Sequence, residues 1–236
     1  LIKKYFINVL KKKFGSQSLP LIKNLNIKKS KKKIVIIDYG MGNLLSIQNA
    51  INFLGYDCSF SDNPKIIKKS DFLILPGVGS FKEAMRRLNK LTLIDSIREN
   101  ILSKNGKILG ICLGMQLLAK IGYEDGKTKG IGLIDGSILS LKNKTNKILP
   151  HIGFNEVLIN NKNNKLFQNI NKNKYFYFVH SYYFQPESHD LNLKFSYCNY
   201  GKKFVSSFEN ENIFGTQFHP EKSQKNGLNL LENFLN

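Results

Sequence analysis

Three short apolar runs, KIVIID (Lys33–Asp38), FLIL (Phe72–Leu75) and KILGI (Lys107–Ile111), each pass directly into a glycine-bearing segment, and helical periodicity fills the intervals. Runs this continuous suit strands buried on both faces, as in a parallel sheet covered by helices. Between the first two, Leu44, Ile47, Ala50, Ile51 and Leu54 recur at helical spacing before Gly55, and a weaker strand is expected at Cys58–Phe60. Between the second and third, Met85, Leu88, Ile94, Ile97 and Ile101 predict one helical stretch running towards Asn105-Gly106. Parallel neighbours need crossover connections, so this cadence predicts an α/β fold with a mainly parallel central sheet flanked by helices. Ligands then belong at the carboxyl ends of the strands, at YGMGN, PGVGS and CLGMQ.

Beyond Gly130 the texture changes to GLIDGSILSL, FNEVLIN, KYFYFVHSYYF, KFSYCNY, KFVSSFE and NIFGTQFHP, which predicts an added antiparallel β portion in the C-terminal half. Leu228, Leu231, Phe234 and Leu235 mark a closing helix.

The formal net charge of +19 would suggest nucleic acid or a membrane surface if it were spread over the chain. It is not: residues 1–33 carry eleven lysines and no acid, leaving 25 basic against 17 acidic residues in the remainder. The remaining lysines accompany many asparagines and isoleucines, and no zinc-ligand spacing, helix-turn-helix or RNA-binding aromatic pattern appears among them, so neither nucleic acid nor membrane is the expected partner. Residues 1–32, broken by Gly15 and Pro20, read as a basic extension, disordered or artefactual, with an organelle-targeting leader as an alternative. Residues 33–236 form the expected catalytic domain. Three cysteines at 58, 112 and 198 show neither metal-binding spacing nor an even count, which points to a reducing, cytoplasmic setting. No metal or organic cofactor is implied.

The segment Gly110-Ile111-Cys112-Leu113-Gly114 carries a strand through a glycine-flanked cysteine into an apolar helix containing Met115, Leu117 and Leu118. That pattern is a nucleophile elbow with cysteine in the serine position. The helix N-terminus favours a thiolate, and the Leu113 N–H is placed to donate to an oxyanion. Taken alone, Cys112 reads more readily as a small buried hydrophobe, the commonest fate of a lone cysteine. A base is available in Thr216-Gln217-Phe218-His219-Pro220-Glu221, where residues two apart in an extended segment share a side, so Glu221 would orient the His219 ring. His151, His180 and His189 lack that acid spacing.

Together, GICLGMQLL and TQFHPEKS closely resemble the nucleophile and His/Glu motifs of the class I glutamine amidotransferases, a flavodoxin-like α/β family. From Lys33 to the C-terminus the chain most resembles the branch of glutaminase subunits of imidazole glycerol phosphate synthase, through DYGMGN, PGVGSF, PHIGFNEV and HPEKSQ. The resemblance implies a Cys112–His219–Glu221 triad and an oxyanion hole from Val78 and Leu113. It also implies substrate contacts at Gly77, Gly79, Gln116, His180, Ser181 and Tyr182, and a partner interface at Asn43, Phe154 and Lys222. The implied partner is a (β/α)8-barrel cyclase of histidine biosynthesis, joined as a heterodimer. Where that branch is expected to have Trp, this chain has Phe154, and it contains no Trp at all. Phe keeps the apolar plate and loses the indole N–H. Paralogues that feed ammonia to surface-polysaccharide sugar synthesis remain an alternative client, and a non-catalytic module of the same fold a further one.

Overall fold

The computed structural model describes residues 32–236 except 104–105, 161–162, 171–173 and 188–192; the basic extension up to residue 31 and His189 lie outside the described residues. The expected parallel half is present. Strands β1 (Ile34–Ile37), β2 (Cys58–Ser61), β3 (Phe72–Leu75), β4 (Lys107–Ile111) and β14 (Ile213–Thr216) lie side by side in the order β2-β1-β3-β4-β14, all parallel.

Alternation along a buried strand divides its side chains between two cores. Ile34 and Ile36 enter one with Ile47 and Ile51 of α1 (Leu44–Phe53) and Leu230, Leu231 and Phe234 of α6 (Gln224–Leu235). Val35 and Ile37 enter the other with Leu73, Leu75, Phe81, Met85, Leu88 and Ile97. Every one of these is nine-tenths or more buried, so the continuous apolar runs are explained by cover on both faces.

The helical stretch after β3 is two helices rather than one, α3 (Phe81–Lys90) and α4 (Leu93–Ser103), divided at Thr92 with φ of 54°. A four-residue turn of helix, α2 (Pro64–Ile67), precedes β3. The apolar helix expected after Cys112 is also shorter: α5 spans only Leu113–Leu117, and the chain becomes strand β5 at Ala119–Gly122. The Leu117, Leu118 and Ala119 carbonyls, which a longer helix would use internally, accept instead from the N–H groups of Ile131, Leu133, Ile134 and Gly132.

The antiparallel portion continues the sheet through β13 (Lys202–Asn210), β11 (Tyr182–Pro186), β7 (Ile134–Ser140), β5 and β6 (Thr128–Lys129), with β12 (Lys194–Tyr200) attached to β13 and β9 (Leu158–Ile159) to β12. Within it β5 and β7 run parallel. KYFYFVHSYYF is divided at Ser181 between two sheets: β10 (Tyr175–His180) pairs with β8 (His151–Glu156) in a separate two-stranded ribbon, which Tyr177 also bridges to His219, while β11 joins the main sheet. No helix among the described residues is long and apolar enough to cross a membrane.

Candidate functional site

Because β4 and β14 are parallel neighbours with Ile111 opposite Thr216, their following residues emerge at the same edge, and Cys112 N–H donates to Thr216 O at 2.7 Å. Cys112 sits at φ 54° and ψ −111°, a backbone conformation that L-residues rarely adopt and that tight functional turns retain. Its flanking glycines are sterically obligatory. A Cβ on Gly114 would lie 1.8 Å from Leu75 O, and one on Gly110 would lie 2.7 Å from the Gly114 and Met115 backbone. The first bond of α5 runs from Gln116 N–H to Cys112 O at 3.3 Å, so the Leu113, Gly114 and Met115 N–H groups lie ahead of it. Five residues carry little macrodipole, so the elbow's electrostatic contribution is these local donors rather than the helix field.

His219 and Glu221 are brought together, by a route the sequence did not suggest. The strand ends at Thr216, and Pro220–Lys222 form a 3-10 turn capped by His219. Proline at the first position of the turn suits it because its fixed φ is helical and no N–H is lost. The turn, not strand alternation, folds Glu221 Oε1 to 2.8 Å from His219 Nδ1, with side chains only 2% and 4% exposed respectively. His219 is pinned from outside by its N–H to Tyr177 O (2.9 Å) and by Ser223 Oγ donating to its carbonyl (2.6 Å). Burial alone would depress the imidazole. Its interactions with Cys112 and then Glu221 outweigh that and raise its pKa to about 10.

Cys112 lines a cavity of about 480 Å³ with Val78, Gly79, Ser80, Leu113, Gln116, Glu124, Pro150, Val179, His180, Ser181 and Tyr182. Eight residues singled out from the sequence line it: Val78, Gly79, Cys112, Leu113, Gln116, His180, Ser181 and Tyr182. His219 and Glu221 do not line it, and Gly77 packs beneath, where a Cβ would meet Tyr39 Oη at 2.7 Å and Leu113 Cβ at 2.8 Å. Tyr39 Oη donates to Pro76 O (2.7 Å), holding the base of the PGVG loop. Val78 is 47% exposed at the tip of that loop.

Sequence reasoning missed Glu124, a carboxylate on the cavity wall. Burial raises its pKa, and the Phe81 N–H that it accepts at 2.7 Å, at the start of α3, partly reverses this. Missed as well was Gln217, fully buried, whose Nε2 donates to Cys112 Sγ at 3.7 Å. Gln116 is not on a helix surface. It is buried, and its amide hydrogens go to Tyr182 O (3.1 Å) and Gln217 Oε1 (3.0 Å). Only its Oε1 is left to face a ligand, as an acceptor.

Phe154 and Lys222 share one outer patch. The Phe154 ring is 48% exposed and 5.6 Å edge-on from Tyr177, and Lys222 Nζ lies 5.8 Å from that same Tyr177 ring. Asn43 is exposed, and its Oδ1 caps α1 through Ser46 N–H. Among the described residues no cluster of three or more His, Cys, Asp or Glu side chains could hold a metal ion.

A parallel sheet whose strand ends gather a cysteine elbow, a buried His–carboxylate pair and an open cavity on whose wall the cysteine lies is an arrangement in which a thiol could act as a nucleophile. The chain belongs to the class I glutamine amidotransferase family, whose model matches residues 35–236. It is 47% identical to imidazole glycerol phosphate synthase subunit HisH 1 of Campylobacter jejuni over 85% of this chain and 98% of that relative. It is 48% identical to the HisH 1 subunit of Parasynechococcus marenigrum over 86% and 97%. The fold superposes on PurLQS from Thermotoga maritima with a TM-score of 0.65 at 18% identity, covering 87% of this chain and 98% of that one.

Proposed function

We propose that this chain is the glutaminase subunit of an imidazole glycerol phosphate synthase, with Cys112, His219 and Glu221 as its catalytic triad. The observation that carries the reading is the strained Cys112 elbow on the cavity wall, backed by a buried His219 ring that Glu221 orients at 2.8 Å. The Cys112 thiolate attacks the side-chain amide carbon of glutamine. The C=O electron pair moves onto oxygen, which Leu113 N–H and the Val78 N–H of the PGVG loop receive. His219 gives its proton to the amide nitrogen, the C–N bond breaks, and ammonia leaves a thioester on Cys112. The imidazole, now neutral, takes a proton from water as it attacks the thioester, and glutamate and the starting ion pair are restored. At the far end of the cavity, Glu124 and Gln116 Oε1 supply acceptors suited to the substrate's α-ammonium, beside Gly79, His180, Ser181 and Tyr182.

Ammonia released in bulk water would be protonated and diluted, so a glutaminase of this kind needs an enclosed client. The exposed patch formed by Phe154 of the ribbon and Lys222 of the neighbouring 3-10 turn supports docking of a (β/α)8-barrel cyclase there, forming a heterodimer in which the Val78 donor is set when the partner is loaded. A second reading keeps the chemistry and changes the client to an amidotransferase of surface-polysaccharide sugars. Phe154 favours it, since its ring offers the partner no N–H.

The test is glutamate release from glutamine by the chain alone, then with the barrel cyclase and its phosphorylated ribulosyl substrate, against Cys112→Ala. Turnover that needs both Cys112 and that partner supports the histidine-pathway reading. Turnover indifferent to the cyclase moves the client to the sugar pathway, and none with any partner ends the enzyme reading.

A further inference from the structure

A continuous set of hydrogen bonds links the two-stranded ribbon to the sulfur of Cys112, with donors converging on Tyr182 O from both sides. His180 Nδ1 is 2.8 Å from Tyr182 O. A carbonyl only accepts, so Nδ1 carries the proton and Nε2 of the neutral ring is a lone pair. That lone pair faces His151 Nδ1 at 3.1 Å, which must therefore be the donor, leaving His151 Nε2 to accept from Asn155 Nδ2 at 3.4 Å. Asn155 Nδ2 also donates to Asn199 O (3.1 Å), and Asn155 Oδ1 accepts from Glu156 N–H (2.8 Å), which fixes the amide's orientation on β8. At the other end Tyr182 O accepts a second bond from Gln116 Nε2, whose remaining hydrogen goes to Gln217 Oε1. With its oxygen committed, Gln217 presents Nε2 to the sulfur.

Tyr182 O and Asn199 O are obligate acceptors, so no link between them can reverse without setting donor against donor inside the protein. Burial keeps both imidazoles uncharged, His151 at about 4 and His180 at about 3, so the tautomers hold at neutral pH. Building on Cys112 as the nucleophile, we infer that this chain of bonds positions the sulfur for attack, with Gln217 and His151 as positioning residues. Gln217 acts directly, by directing an N–H at the sulfur. His151 acts through His180, Tyr182 O and Gln116. Nothing is transferred along the chain: each link only orients the next. His151 belongs to the ribbon that also exposes Phe154, so the nucleophile is tied to the face proposed for the partner.

The experiment uses the full chain. Nitrogen spectra of the wild-type histidines are expected to show His151 and His180 as Nδ1–H tautomers, and carbamidomethylation of Cys112 to move the Gln217 side-chain amide signals. Gln217→Leu, assayed with the partner, is expected to lower kcat roughly 10- to 100-fold while KM for glutamine stays within about threefold, as loss of a bond to a charged nucleophile predicts. His151→Phe is expected to cost about 3- to 10-fold in kcat, and the double variant to be no slower than Gln217→Leu alone, since contacts in one network are not additive. An Nε2–H tautomer on either ring, an unmoved Gln217 amide, kcat of Gln217→Leu within about twofold of wild type, or additive effects would each overturn the inference. A wild-type chain with no turnover would instead defeat the nucleophile reading, and the spectra would still decide the chain of bonds.

Discussion

His151→Phe separates what a ring contributes by stacking from what its nitrogens contribute, and it does so as a function of pH. The His151 ring lies 4.0 Å from the Tyr200 ring centroid and 4.8 Å from that of Phe178, both nearly parallel to it, so phenylalanine keeps the stack. At pH 7 the variant leaves His180 Nε2 buried without its donor, which costs about 1–3 kcal/mol. In the wild type, burial and then the Lys147 charge depress His151 from 6.5 to about 4. Below 6.5 the unfolded chain therefore binds a proton that the folded chain refuses until about pH 4. Stability is full above 6.5 and is lost as pH falls through that window. Linkage puts the loss from this one ring at about 2 kcal/mol between pH 7 and pH 5. Phenylalanine cannot incur it, and every other titrating group is common to both proteins. Urea unfolding of the two proteins at pH 7, 6 and 5 should therefore show the stability gap closing by about 2 kcal/mol. A gap that is independent of pH would refute the placement of a neutral, buried His151 in the fold.

Gly114→Ala places a Cβ 1.8 Å from Leu75 O, backbone against backbone, and should destabilise the fold by about 3 kcal/mol or more in the same urea assay, with activity falling as the elbow shifts. Glu221→Gln removes the charge 2.8 Å from His219 Nδ1, and steady-state assays of glutaminase turnover should show kcat lower by roughly 10²- to 10⁴-fold with a native far-UV spectrum. Glu124→Gln should raise KM for glutamine roughly 10- to 100-fold with a smaller effect on kcat, because on the proposed reading this cavity-wall carboxylate receives the substrate's α-ammonium and not the reacting amide.

Much of the catalytic half was legible in the linear sequence because its constraints are local. Strands such as Ile34–Ile37 need apolar residues at every position when both faces are covered, and Gly110 and Gly114 are demanded by atoms within a few ångströms of the elbow. The same local logic extends to Gln217. It stands two residues before His219, and the alternation argument, applied to Glu221 where a 3-10 turn in fact does the work, would have found it. Helix lengths were not legible. Nothing in Met115, Leu117 or Leu118 reveals that residues 131–134 capture the carbonyls that would have extended α5, because the competing donors arrive from more than ten residues away.

By itself, then, the sequence determined the parallel sheet, the elbow and the identity of a nearby histidine and acid, since each follows from patterns within one or two turns of chain. Only the tertiary structure decided what surrounds them. Ser181 divides one aromatic run between two sheets, and that division brings His180 against His151, and Tyr182 O against Gln116. Burial then fixes the charge and tautomer of those histidines. These are facts about residues distant in sequence and adjacent in space, and hydrogen-bond direction and dielectric environment exist only once such residues meet.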